Sequence, residues 1–220
     1  MRIWITRAEP GARSTAARLK AMGHEPVLAP LLEVHALPGL VDLDGVGALA
    51  FTSANGVRAF AARCPDRGLP VFAVGAATAE AARAAGFAAV ASAEGDVNAL
   101  ADLIAGAQSR FAGAVLAPGP REPAGDLPRA LAAQGISARA LALYETLPVP
   151  PPPGMGPVDA VLVHSPKAAE RLAVIFSGRI GPAAYCISAA AAAPLAGRPF
   201  AKVAFADQPT EEALLALLPA

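Results

Sequence analysis

Val46–Ala61 reads VGALAFTSANGVRAFA, and Val158–Ala173 reads VDAVLVHSPKAAERLA. Each is a short apolar run, a small polar turn and then an amphipathic stretch. That order reads as strand, turn, helix. Ser53 and Ser165 align at an offset of 112. Downstream, Val71–Ala79 (VFAVGAATA) and Ala184–Ala192 (AYCISAAAA) align at an offset of 113. Upstream, Ile3–Gly23 and Val115–Gly135 each open with an apolar strand. Each then closes a helix on a Leu and a Gly, Leu19 and Gly23 against Leu131 and Gly135. Leu32-Glu33 falls on Tyr144-Glu145. Each copy ends in an amphipathic helix. One is capped by Asp96, whose carboxylate can accept from the first free N–H groups. The other runs on from Pro209-Thr210-Glu211-Glu212, with acids in the first turn where the helix dipole favours them. The chain is therefore a repeat of itself.

Short apolar strands alternating with alanine-rich helices predict βαβ units and parallel sheets, an α/β fold. Two copies predict two similar lobes. Stretches 35–40 and 148–157 lie at matching places, about a third of the way into each copy. The second contains Pro150–Pro153, a run that can be neither helix nor central strand and makes a stiff extended spacer. Linkers inside the repeats predict lobes that are not the sequence halves. One would comprise 38–147, and the other 1–36 together with 150–220.

The 220 residues are 55% hydrophobic, enough for a sizeable core. Lys plus Arg and Asp plus Glu are each 18. A net charge of zero argues against a nucleic-acid or membrane surface, which would want a basic excess. Cys64 and Cys186 are far apart and lack a CxxC partner, so neither a disulfide framework nor a zinc site is expected. They read as buried thiols at a helix end and in an apolar strand. The apolar opening from Met1 to Ile5 is too short for a signal peptide, and Pro194 breaks the alanine tract 189–193. The reducing cytoplasm is the expected location.

In open parallel sheets, ligands bind beyond the carboxyl ends of the strands. Those turns are polar here: Thr6-Arg7, Thr52-Ser53-Ala54-Asn55, Gly75-Ala76-Ala77-Thr78, Pro118-Gly119-Pro120-Arg121, His164-Ser165-Pro166-Lys167 and Ser188-Ala189. Each is expected to deliver small or hydroxyl residues to a helix start, where free N–H groups attract carboxylates or phosphates without added lysine. Ser, Thr and Asn in such places are also ordinary N-caps. Dinucleotide and P-loop fingerprints are missing, because Gly75–Ala79 is too poor in glycine and Pro118–Arg121 lacks a GK[ST] ending. His24, His35 and His164 are scattered and form no metal-spaced set with carboxylates. The pattern points to an enzyme that positions its substrate, or to a binding protein.

The turn FTSANGV (Phe51–Val57), the VGAATA of Val74–Ala79, the strand end Leu143-Tyr144-Glu145-Thr146, the opening Ile5-Thr6-Arg7 and the His164–Pro166 turn resemble the uroporphyrinogen-III synthase family, in order along the whole chain. The resemblance implies two flavodoxin-like parallel-sheet lobes joined by a two-stranded linker, with a cleft between them. It also implies the reaction. Hydroxymethylbilane, a linear tetrapyrrole with eight carboxylates, loses its terminal hydroxyl. The last pyrrole is attacked at its substituted carbon, and a spiro intermediate recloses with ring D inverted. No cofactor or metal is implied. Because the bilane cyclises by itself to the symmetric isomer, the enzyme's task is to fold it, and positioning can supply several kcal/mol.

Carried over by the resemblance, Tyr144 assists departure of the hydroxyl, or else packs the linker. Thr52, Ser53, Thr78, Ser165 and Ser188 contact substrate, with Thr78 alternatively a surface residue. Arg7 and Arg121 grip carboxylates, since a guanidinium can do so bidentately. Where many members carry Gly and Thr in the second-lobe turn, this chain has Ser188 and then alanines, so backbone amides would serve there. The implied partner is the bilane alone, bound by a monomer in transient contact with the upstream bilane-forming enzyme. Two other readings are a two-lobe module that senses a small anion without turnover, and a sugar-nucleotide transferase. The latter would carry a charged diphosphate cluster that this chain lacks.

Overall fold

A computed structural model describes residues 1–9 and 11–219. The chain divides into two compact units, Met1–Val34 with Leu147–Ala220, and His35–Thr146. They are called here the first and second lobes.

The first lobe takes strands from both ends of the chain. β1 (Arg2–Ile5), α1 (Gly11–Ala21) and β2 (Glu25–Leu28) come from the N-terminal part. β9 (Ala160–Val163), α6 (Pro166–Ile175), β10 (Gly181–Cys186), α7 (Ala189–Ala192), β11 (Phe200–Phe205) and α8 (Glu211–Leu215) come from the C-terminal part. The sheet runs β11-β10-β9-β1-β2, with every pairing parallel. In chain order that is 2-1-3-4-5, the flavodoxin arrangement. Side chains alternate between two apolar layers. Ile3 and Ile5 pack with Leu19, Leu214 and Leu215 under α1 and α8. Trp4 packs with Val161, Val163 and Leu172 under α6. On α1 the buried positions are Ala12, Thr15, Ala16 and Leu19, one helical stripe.

The second lobe is contiguous. β4 (Val46–Phe51), α2 (Ala54–Ala61), β5 (Val71–Ala73), α3 (Ala76–Ala84), β6 (Val90–Ser92), α4 (Val97–Gly106), β7 (Ala114–Pro120), α5 (Leu127–Ala132) and β8 (Ala138–Pro148) follow in sequence. The strand order β8-β7-β4-β5-β6 matches the first lobe once the repeat is applied, with β7 in the place of β1 and β4 in the place of β9. Phe51, Phe60 and Phe87 form one ring cluster, on the α2 and α3 face. β3 (Leu32–Ala36) lies beside β8. Leu37 N–H donates to Leu143 O, and Val149 N–H to Leu31 O, so the two strands run antiparallel. Arg63 donates to the carbonyls of both Leu143 (2.8 Å) and Leu37. From 149 to 157 there is neither helix nor strand, as four consecutive prolines without N–H groups require.

The segment just before β7 approaches β4 so closely at Gly47 that a Cβ there would lie 2.1 Å from Ala112 O. At the end of α4, by contrast, a Cβ on Gly106 would meet nothing within 4 Å. Gly47→Ala should therefore lower the unfolding free energy by roughly 1–3 kcal/mol. Gly106→Ala should raise it by about 0.5–1 kcal/mol through the unfolded chain's lost freedom. Denaturant titration of both variants checks the opposite signs.

Candidate functional site

The carboxyl ends of β4 and β7 bring together most of the second-lobe residues singled out from sequence, although Leu143–Thr146 do not end a strand as expected, because β8 runs on to Pro148. Ser53 is the N-cap of α2, its Oγ accepting from Gly56 N–H at 3.1 Å. The same Oγ lies 2.8 Å from Tyr144 Oη. The register of β7 and β8 jumps between Gly119↔Ala142 and Pro120↔Tyr144, a bulge that skips Leu143. Bulges re-aim side chains. Here Leu143 joins the Phe51 cluster, while the neighbouring Tyr144 reaches Ser53. Burial pushes the Tyr144 phenol above its usual 10.0, against the opposing pull of the Ser53 hydrogen bond and of Arg58. The phenol is protonated at neutral pH and suited to donating a hydrogen bond.

A recess of about 190 Å³ opens at the β4–β7 switch point, lined by Thr52, Gly119, Arg121, Gly125 and Leu127 among others. Arg121 pairs with Glu145 at 3.0 Å, and its N–H donates to Tyr144 O. Thr78 lies in the first turn of α3 and is buried, not on the surface. The expectation that Pro118–Arg121 opens a helix is corrected. β7 runs on through Pro120, and α5 begins only at Leu127, capped by Asp126. Thr6 is likewise no turn residue for a ligand, because it is fully buried and donates to Leu162 O at 2.7 Å.

In the first lobe, Ser165 and Ser188 cap α6 and α7, accepting from Ala168 N–H at 3.2 Å and Ala191 N–H at 3.3 Å. Capping thus accounts for these hydroxyls and for part of the bonding of Ser53. Arg7, expected as a partner for ligand carboxylates, already has one within the chain. Its Nη1 donates to Glu211 Oε2 at 2.9 Å. His164 Nε2 lies 3.0 Å from the same oxygen, and Thr15 Oγ1 donates to Oε1. Sequence reasoning missed this cluster. Glu211 looked like a helix-dipole acid, and its partners stand 47, 196 and 204 residues away. The available signal was that the repeat stacks α8 beside α1, just as it stacks α4 beside α5.

A larger recess of about 690 Å³ lies among Trp4, Met155, Phe176 and Arg179, near Val158 and Gly181 at the amino ends of β9 and β10. That is the wrong end of a parallel sheet for the usual ligand site. Among the described residues no group of three or more His, Cys, Asp and Glu is placed to hold a metal ion. No helix among them is long and apolar enough to cross a membrane.

Residues 13–216 match the sequence family described as uroporphyrinogen-III synthase HemD. The chain belongs to the uroporphyrinogen-III synthase family. Uroporphyrinogen-III synthetase from Helicobacter pylori superposes with a TM-score of 0.71 at 19% identity, over 98% of this chain and 96% of that one. A mutant uroporphyrinogen III synthase from the extremely thermophilic bacterium Thermus thermophilus gives 0.55 at 18% identity, over 98% and 96%. At these identities the likeness shows the synthase fold. No curated protein matches the chain significantly in sequence.

Burial lowers the His164 pKa below its usual 6.5, outweighing the pull of Glu211. Burial alone would raise the Glu211 carboxyl. The contributions of His164, Thr15 and Arg7 exceed it, however, and hold the group well below its usual 4.5. In both cases the unfolded chain binds more protons than the folded one, so stability rises with pH. The His164 contribution is complete above about pH 6.5 and is lost on acidification below it. The Glu211 contribution is present above about pH 4.5 and is lost as pH falls further. The melting temperature should therefore fall in two stages on acidification. Glu211→Gln should remove the lower stage and keep the upper, and identical curves below pH 4.5 would contradict this account.

Proposed function

We infer that this chain is a uroporphyrinogen-III synthase, which cyclises hydroxymethylbilane with loss of water and inversion of ring D. The family match over residues 13–216 carries the reading. The part-buried Ser53–Tyr144 pair, beside the carboxyl ends of β4 and β7, supports it chemically. In this reading Tyr144 is the group nearest the departing hydroxyl. The α2 cap uses a lone pair of Ser53, leaving the Ser53 proton to donate to Tyr144 Oη. The phenol proton is then free to hydrogen-bond the leaving hydroxyl. A phenol with a raised pKa assists departure without giving up its proton early.

Thr52, Thr78 and Arg121 would line the substrate's path in the second lobe, and Ser165 and Ser188 would mark helix starts whose amides take carboxylates in the first. Arg7 is held by Glu211 and stands outside this reading. No cofactor enters, because the bilane already carries its leaving group and its nucleophilic carbon. The enzyme would be a cytoplasmic monomer meeting the bilane-forming enzyme transiently, since free bilane cyclises to the wrong isomer. No observation favours the anion-sensing or sugar-nucleotide alternatives.

Purified protein given hydroxymethylbilane should yield mainly the type III isomer by chromatography, with chelator and without added cofactor. Product that remains wholly type I would reject the assignment.

Tyr144→Phe should lower the initial rate of type III formation by roughly 10–100-fold, because general acid help is typically worth about 10²–10⁴-fold and only part of it is asked for here. Ser53→Ala should lose less, since the phenol remains, and Ser53→Thr should keep both the cap and the donor. Full activity in Tyr144→Phe, with thermal unfolding unchanged, would leave Tyr144 a packing residue.

A further inference from the structure

The repeat sets the first-lobe cluster against the second-lobe recess, position by position. At an offset of 112, Arg7, Thr15 and His164 fall on Gly119, Leu127 and Thr52, and the helix caps Thr210 and Asp96 set Glu211 against Val97. Three of those four second-lobe residues, Gly119, Leu127 and Thr52, line the recess of about 190 Å³. One lobe thus has an open hollow at its switch point, where the other has a carboxylate surrounded by donors.

The donors have the chemistry of a carboxylate receptor. A guanidinium and an imidazole from the turns after β1 and β9, and a hydroxyl from α1, converge on the two oxygens of Glu211. Charge-assisted bonds of this kind are the strong class. The imidazole serves little else, for His164 Nδ1 is buried and has no hydrogen-bond partner among the described residues. The guanidinium rests on Gly11, where a Cβ would lie 2.5 Å from Arg7 Nε, so the backbone is shaped to admit it. The Glu211 side chain is only 18% exposed. It enters from α8, the last helix of the chain.

We propose that Arg7, Thr15 and His164 form a carboxylate-binding site at the first lobe's switch point, and that its resident occupant is the chain's own Glu211. While Glu211 is there, an outside carboxylate must compete with it for the Arg7 guanidinium. The chain thus has two equivalent switch points, one filled by a side chain and one left as a recess.

The test is chemical rescue. Glu211→Ala empties the receptor, and free acetate should refill it. A site ligand at about ten times its dissociation constant should raise the melting temperature of the variant by roughly 3–6 °C. Chloride at equal ionic strength should not. Wild-type protein, whose site is filled, should not respond to acetate specifically, and neither should Glu211→Ala combined with Arg7→Ala. If Glu211→Ala is unfolded in buffer, the folded fraction by circular dichroism should recover with acetate. An acetate response no larger than the chloride response, a response that survives Arg7→Ala, or a chain that stays unfolded at every acetate concentration overturns the proposal.

Discussion

The pairing of β1 with β9 is the constraint on which the first lobe depends. Ile3, Trp4 and Ile5 lie against Ala160, Val161 and Leu162, residues from opposite ends of the chain. Both strands are buried on both faces, so neither can be stable without the other. The junction is stitched at its edge. Arg2 N–H donates to the Asp159 carboxylate at 2.7 Å, and Asp159 N–H returns a bond to Arg2 O. The Arg2 guanidinium reaches the carbonyls of Met155 and Pro157. Closing so long a loop is costly in entropy, although the cost grows only as the logarithm of its length. The intervening 35–146 are themselves folded, and the antiparallel contact of β3 with β8 brings the two crossing segments together. The switch point where Arg7 meets His164 exists only because that loop closes.

Duplication supplies two nearly identical frameworks, but the reaction proposed here needs different ends. The differences lie at a few positions. Tyr144 stands where the other copy has Leu32, and the bulge at Gly119/Pro120 turns its phenol to Ser53. Glu211 stands at the start of α8, where α4 has Val97, and it gathers three donors. Glu211 sits at a helix start, and Tyr144 just past the skipped position of the β7–β8 ladder, so neither change disturbs the regular strands.

Strand, helix and repeat were legible in the sequence because they rest on local periodicity and on spacing. The alternation of Ile3, Trp4 and Ile5 between two layers, the helical stripe of α1, the cap at Asp96 and the proline-stiffened 149–157 all follow from residue type within a few positions. So did the candidate turns, since hydroxyl residues after an apolar strand either cap a helix or face a ligand. Ser165 and Ser188 cap, while Ser53 caps and also meets Tyr144. Tertiary structure alone decided what meets at long range. It placed Leu143 and Tyr144, adjacent in sequence and both buried, in different surroundings by one skipped residue in a ladder. It gave Arg7 to Glu211, across 204 residues. A charged side chain read from sequence has no partner until packing fixes which opposite charge shares its low-dielectric surroundings, and that is a property of the closed sheet, not of any stretch of chain.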